Sequence, residues 1–149
     1  MGVVILYGSE TGTCELVADH IADVFAQLGD TAVYDMSEFD VADLDPADFH
    51  VIVVSTYGDG ELPTGAIPFF DDLDDQQPDL TGLRFAVFGL GDTVYDETFN
   101  RGGEIAAEKL SARGAVQEFE HGRHDSSGSV KPKDQAVEWA EKIATQLRG

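Results

Sequence analysis

Three glycine-containing segments each follow a short apolar run: GSETGTC (8–14), STYGDGELPTG (55–65) and GLGDTVYDETFN (89–100). Around the first, Tyr7, Ser9, Thr11 and Thr13 place four hydroxyls within seven residues. Hydroxyl donors, a glycine at position 12 that permits close backbone approach, and the N-terminus of a following helix together make a seat for an anion. The same hydroxyls serve equally well as plain helix caps. The segment lacks the Gly-Lys-Ser/Thr of a triphosphate loop and the Gly-x-Gly-x-x-Gly of a dinucleotide fold. The chemistry left is that of one phosphate monoester held without metal. The second and third segments each offer one aromatic, Tyr57 and Tyr95, beside glycine. Two aromatics at converging loop tips can sandwich a flat ring by offset stacking, although either alone reads as a half-buried surface ring.

These segments need a scaffold that brings them together. VVILY (3–7), VIVVS (51–55) and FAVFG (85–89) are nearly all apolar, as in strands buried on both faces of a parallel sheet. TAVYD (31–35) and AVQEF (115–119) are more mixed, as in strands toward the edges. Helical patterns separate them. Thr13 to Leu28 carries an apolar stripe of Leu16, Val17, Ile21, Val24, Phe25 and Leu28, stopped by Gly29. Arg101 to Arg113 turns Ile105, Ala106 and Leu110 inward and ends at Gly114. Asp134 to Leu147 repeats Ala136, Ala140, Ile143 and Leu147, with Trp139 joining that stripe as core. Residues 37–50 read as a short acidic helix or turn, 66–80 as a helix opening at Pro68, and EHGRHDSSGSVKPK (120–133) as a polar surface connection.

Strands alternating with helical crossovers predict one α/β domain over residues 1–149, a doubly wound five-stranded parallel sheet with helices on both faces. The common strand order for this pattern is 2-1-3-4-5. It sets strands 1, 3 and 4 side by side, so the three segments converge at their carboxyl ends, where ligands of open α/β sheets bind.

Composition narrows the partners. The chain has 29 acidic and 9 basic residues, net −20. All of the imbalance but two charges lies in residues 1–83, which hold 18 acids and no Lys or Arg. Phosphate backbones and anionic membranes require clustered Lys and Arg, so neither nucleic acid nor a membrane surface is expected. Basic protein partners would be steered toward this surface. A concentrated-salt medium also suits such a chain, because screening relieves its self-repulsion; a melting temperature that rises with salt is the signature. The longest apolar run, Val3 to Leu6, cannot span a membrane, and a cytoplasmic location is expected. Cys14 is the sole cysteine, so no internal disulfide can form. His121, His124 and Asp125 lie in a polar stretch too irregular to predict a metal, and none is expected. His20 and His50 read as structural or surface residues.

YGSETGT, STYGDGELP and FAVFGLGDTVYDETFN together resemble the three FMN-binding loops of flavodoxins. The likeness is nearest to MioC-type short flavodoxins and to the FMN domains of diflavin reductases. The resemblance implies that Ser9, Glu10, Thr11, Gly12, Thr13 and Cys14 cradle the FMN phosphate. It implies that Ser55, Thr56, Tyr57, Gly58, Asp59 and Gly60 line one side of the isoalloxazine, with Tyr57 over one face. Leu90, Gly91, Asp92, Tyr95, Asp96, Phe99 and Asn100 would line the other side, with Tyr95 on the opposite face. The Gly58 carbonyl would accept a hydrogen bond from the reduced ring. Between Tyr95 and Phe99 the chain runs one residue longer than the usual family spacing.

By the same resemblance the chain is expected to be a monomeric electron carrier, passing single electrons between a reductase and an acceptor protein with basic docking surfaces, and at 149 residues no fused nicotinamide domain is expected. The acids near the ring, and the lack of Lys or Arg in the first loop, would make the last electron costly to add. A non-redox phosphate-binding or receiver-like signalling module on the same architecture is the competing reading. Against the receiver form, Leu6-Tyr7-Gly8 ends the first strand where a pair of acids would stand.

Overall fold

The computed structural model describes residues 2–8, 13–27, 29–45, 47–55, 66–91, 101–119, 122–125 and 132–148. Its strands are β1 (Val3–Gly8), β2 (Thr31–Asp35), β3 (Phe49–Ser55), β4 (Arg84–Gly91), β5 (Val116–Gln117) and β6 (Gly122–Asp125). Its helices are α1 (Thr13–Phe25), α2 (Ile67–Gln76), α3 (Arg101–Ala112) and α4 (Pro132–Arg148). All pairings are parallel, in the order β2-β1-β3-β4-β5, with β6 also on β4. The doubly wound sheet of order 2-1-3-4-5 is therefore as the sequence predicts.

The central strands bury both faces. On β3, Phe49, Val51 and Val53 join α1 and α4, while Ile52 and Val54 join α2 and α3. Alternation has period two, so each successive apolar residue feeds the opposite helix layer. Within α1, Val17, Ile21, Val24 and Phe25 are buried as expected, but Leu16 is 55% exposed. The 17-21-24-25 spacing sets the inward direction, and Leu16 falls outside that arc. Helix α2 opens with Pro68 at its second position, where a missing N–H costs nothing. It closes on Gln77 in a left-handed conformation.

The acidic segment after β2 folds as two short 3₁₀ turns, Met36–Glu38 and Val41–Asp43. Asp35 and Asp40 cap them, each accepting the backbone N–H two residues on at 2.9 Å, from Ser37 and Ala42. Asp45 accepts from Ala47 and Asp79 from Thr81 in the same way. These aspartates satisfy donors that short turns leave open.

The fifth sheet position departs from expectation. AVQEF was predicted as one strand, yet only Val116 and Gln117 pair, against Arg84 and Phe85. The ladder resumes at Gly122–Asp125, inside the stretch predicted as a polar connection, and runs beside Phe88 to Gly91. Both segments occupy the same lane along β4, so the sheet keeps five positions with the last one interrupted.

His50 lies buried near the start of β3 at 1% exposure, and its Nδ1 has no hydrogen-bond partner. Burial holds the imidazole below its ordinary range, opposed by the Asp48 carboxylate, a hydrogen bond with the Asp48 backbone and the Asp45 carboxylate. A histidine depressed in the fold binds its proton more readily once unfolded. Its contribution is whole above the unfolded value of about 6.5 and is lost as pH falls below it. Thermal melts from about pH 7.5 to 5 should therefore show the wild type losing stability relative to His50→Leu. Parallel pH dependence in the two proteins would remove His50 as the cause.

Candidate cofactor site

Strands β1, β3 and β4 end level with one another. Gly8 pairs with Val54, and Ser55 with Leu90. The three glycine-containing segments thus leave the sheet side by side at the switch point. Of the predicted residues, Thr13 and Cys14 are the first two of α1, Ser55 ends β3, and Leu90 and Gly91 end β4. Ser9, Glu10, Thr11, Gly12, Thr56, Tyr57, Gly58, Asp59, Gly60, Asp92, Tyr95, Asp96, Phe99 and Asn100 lie outside the described residues.

One contact that sequence reasoning missed sets the spacing of this edge. A Cβ on Gly8 would stand 2.6 Å from the Ala66 Cβ, 2.9 Å from its Cα and 3.0 Å from its N. Ala66 is buried where the chain returns from the second segment into α2. Gly8 therefore lets the return of the second segment lie directly on the start of the first. The pair is 58 positions apart, so no local pattern reveals it.

The edge is electronegative. The Tyr7 phenol is pushed above its ordinary range, first by burial and then by the carboxylates of Glu15, Asp35, Asp19 and Glu38. Such a field disfavours an anion, so a phosphate here needs local donors. Helix α1 begins five positions after Gly8, with 13 residues of aligned dipoles behind it. A helix N-terminus preceded in sequence by hydroxyl-bearing residues is a donor set that fits a phosphate monoester. Among the described residues, no group of three or more His, Cys, Asp or Glu is placed to hold a metal.

The flavodoxin family profile matches residues 5–139. A MioC homolog from Haemophilus influenzae is 36% identical over 140 residues, which cover 93% of this chain and 94% of that protein. The NADPH–cytochrome P450 reductase of Rattus norvegicus is 35% identical over 149 residues, covering 95% of this chain. This chain spans only 21% of that reductase's length. Among solved structures, a single-residue mutant of a flavodoxin from Pseudomonas aeruginosa superposes with TM-score 0.88 and 34% identity, covering 100% of both chains. With three loops issuing from β1, β3 and β4 and a helix N-terminus behind the first, the chain belongs to the flavodoxin family, and its cofactor is FMN.

Proposed function

We propose that this chain is a one-electron carrier, taking electrons from a reductase and delivering them to an acceptor protein. The observation that carries this reading is the convergence of the β1, β3 and β4 ends on one edge beside the α1 N-terminus. FMN, when bound, supplies the redox chemistry. The chain's own part is to seat the phosphate at α1, to stack the ring between Tyr57 and Tyr95, and to leave its edge accessible. Ser9, Thr11 and Thr13 would donate to the phosphate, and the Gly58 carbonyl would accept a hydrogen bond from the reduced ring.

The partners are proteins with basic rims. Net charge of −20 favours steering of cationic surfaces. Leu16 and Ile67, 55% and 43% exposed in the first turns of α1 and α2, add apolar contact on either side of the loop edge. The protein acts as a cytoplasmic monomer, and its surplus of acid suits a medium rich in salt.

Mixing the FMN-free chain with FMN should give a yellow one-to-one complex with quenched flavin fluorescence. Stepwise reduction should then consume two electrons in separate steps, and delivery to a basic acceptor such as cytochrome c should slow as salt rises. A chain that takes up no FMN defeats this reading. Electron delivery indifferent to salt defeats the basic-partner part alone.

A further inference from the structure

The second half of the interrupted fifth lane carries residues that the carrier reading leaves unused. Register places Arg123 beside Gly89, His124 beside Leu90 and Asp125 beside Gly91. Neighbouring strands lie about 4.8 Å apart, so the His124 backbone stands one strand spacing from residues that open the third cofactor loop. Residues 1–83, which form β1, β2, β3, α1, α2 and their connections, hold 18 acids and no Lys or Arg. Arg84, the other Lys or Arg on a described strand, begins β4 at the opposite end of the sheet. Among the described strands, β6 is thus the one that brings basic residues to the cofactor edge, one of fixed charge and one titratable; Arg101 adds a fixed charge where α3 follows the third loop.

We propose that His124 is a tuning residue of the FMN site, binding a proton as the cofactor gains negative charge. The inference rests on the FMN assignment. The balance is one electron and one proton. A reduced mediator dye is oxidised by one electron, which enters the bound cofactor, and one proton from solvent binds the His124 imidazole. The net charge of the edge is unchanged.

The charged neighbours are known from placement. Arg123 and Asp125 flank His124 on β6, with Glu120 and His121 just before the strand. Helix α4 packs on β6 and carries Lys133, Asp134 and Glu138 in its first two turns. Strand β4 has no titratable residue from Phe85 to Gly91, and the third loop adds Asp92, Asp96 and Glu97. An imidazole is the side chain among these that changes charge near neutrality.

Reciprocity makes the idea measurable. If reduction favours the charged imidazole, then protonation of His124 raises the reduction potential by the same coupling. In the FMN-loaded protein, potentiometric titration should show a potential that bends with pH between about 5 and 8. His124→Gln should remove the bend and lower the acid-side potential. The expected change is roughly threefold to tenfold in the reduction equilibrium, or about 28 to 59 mV at 59 mV per tenfold. His124→Lys should hold the potential near its acid-side value across that range, and His121→Gln should leave the bend in place. By proton NMR the His124 resonance should titrate at higher pH in the reduced protein than in the oxidised one.

A His124→Gln curve that superimposes on the wild type overturns the proposal, as does a His124 resonance blind to redox state. Transfer of the bend to His121 overturns it too. A chain that binds no FMN removes the cofactor assignment itself, a different failure from bound FMN indifferent to His124.

Discussion

Gly8→Val should lower FMN affinity by at least about tenfold and cost roughly 1–3 kcal/mol of stability. The new Cβ would meet three atoms of Ala66 at 2.6–3.0 Å, two of them backbone. Real side chains do not approach that closely, so the return of the second loop into α2 must retreat from β1. The loops that hold ring and phosphate would then separate, and a small misplacement at a site costs far more binding than the contact energy alone. Gly8→Ala should show the same loss in milder form. Adding Ala66→Gly to it should recover only part, because the Cα and N of residue 66 remain 2.9 and 3.0 Å from the added methyl. Fluorescence titration with FMN and thermal melts check this. Wild-type affinity in Gly8→Ala would show that the two loops do not need this approach.

The largest loss of stability is expected from Phe88→Ala. Phe88 is fully buried on β4, its ring centroid 5.3 Å from that of Trp139 on α4. Truncating a buried Phe costs about 3–5 kcal/mol, part in lost transfer energy and part in the cavity left behind. Whole domains are stable by only about 5–15 kcal/mol. At roughly 2–4 °C per kcal/mol for this size, the melting temperature should fall by about 6–20 °C. Phe88 also pairs with Gly122, the first residue of β6. Trp139 emission should therefore report a looser environment in the native state as well as the earlier melt. A drop under about 1 kcal/mol would mean that the site collapses and refills.

Much of this architecture was legible because apolar content tracks burial on both faces. Val51 to Val54 and Phe85 to Phe88 are buried without exception, and no other element type explains such short unbroken runs between helical patterns. The edge on which the site is expected was legible for a related reason, since segments of unusual chemistry follow three strands that the topology makes neighbours. Three features were not legible. Gly122–Asp125 has no apolar alternation, and only the ladder of β4 beside it makes it a strand. For His50 the sequence left a structural and a surface role open, and burial in the fold decides for the structural one. Leu16 matched a helical stripe by spacing, yet the buried arc is narrower than that spacing allows. Each miss has the same origin. The deciding contact is distant in sequence, while composition reports only on neighbours.

The aspartate caps at residues 35, 40, 45 and 79 separate two properties that acidity usually confounds. What each turn needs is an oxygen at a fixed distance from an amide two residues on, and the asparagine side chain carries such an oxygen. Charge at these four places is therefore adjustable while shape is not. A lineage moving between dilute and concentrated surroundings could reset its surface one Asp–Asn exchange at a time, with the chain path after β2 and before β4 left as it is.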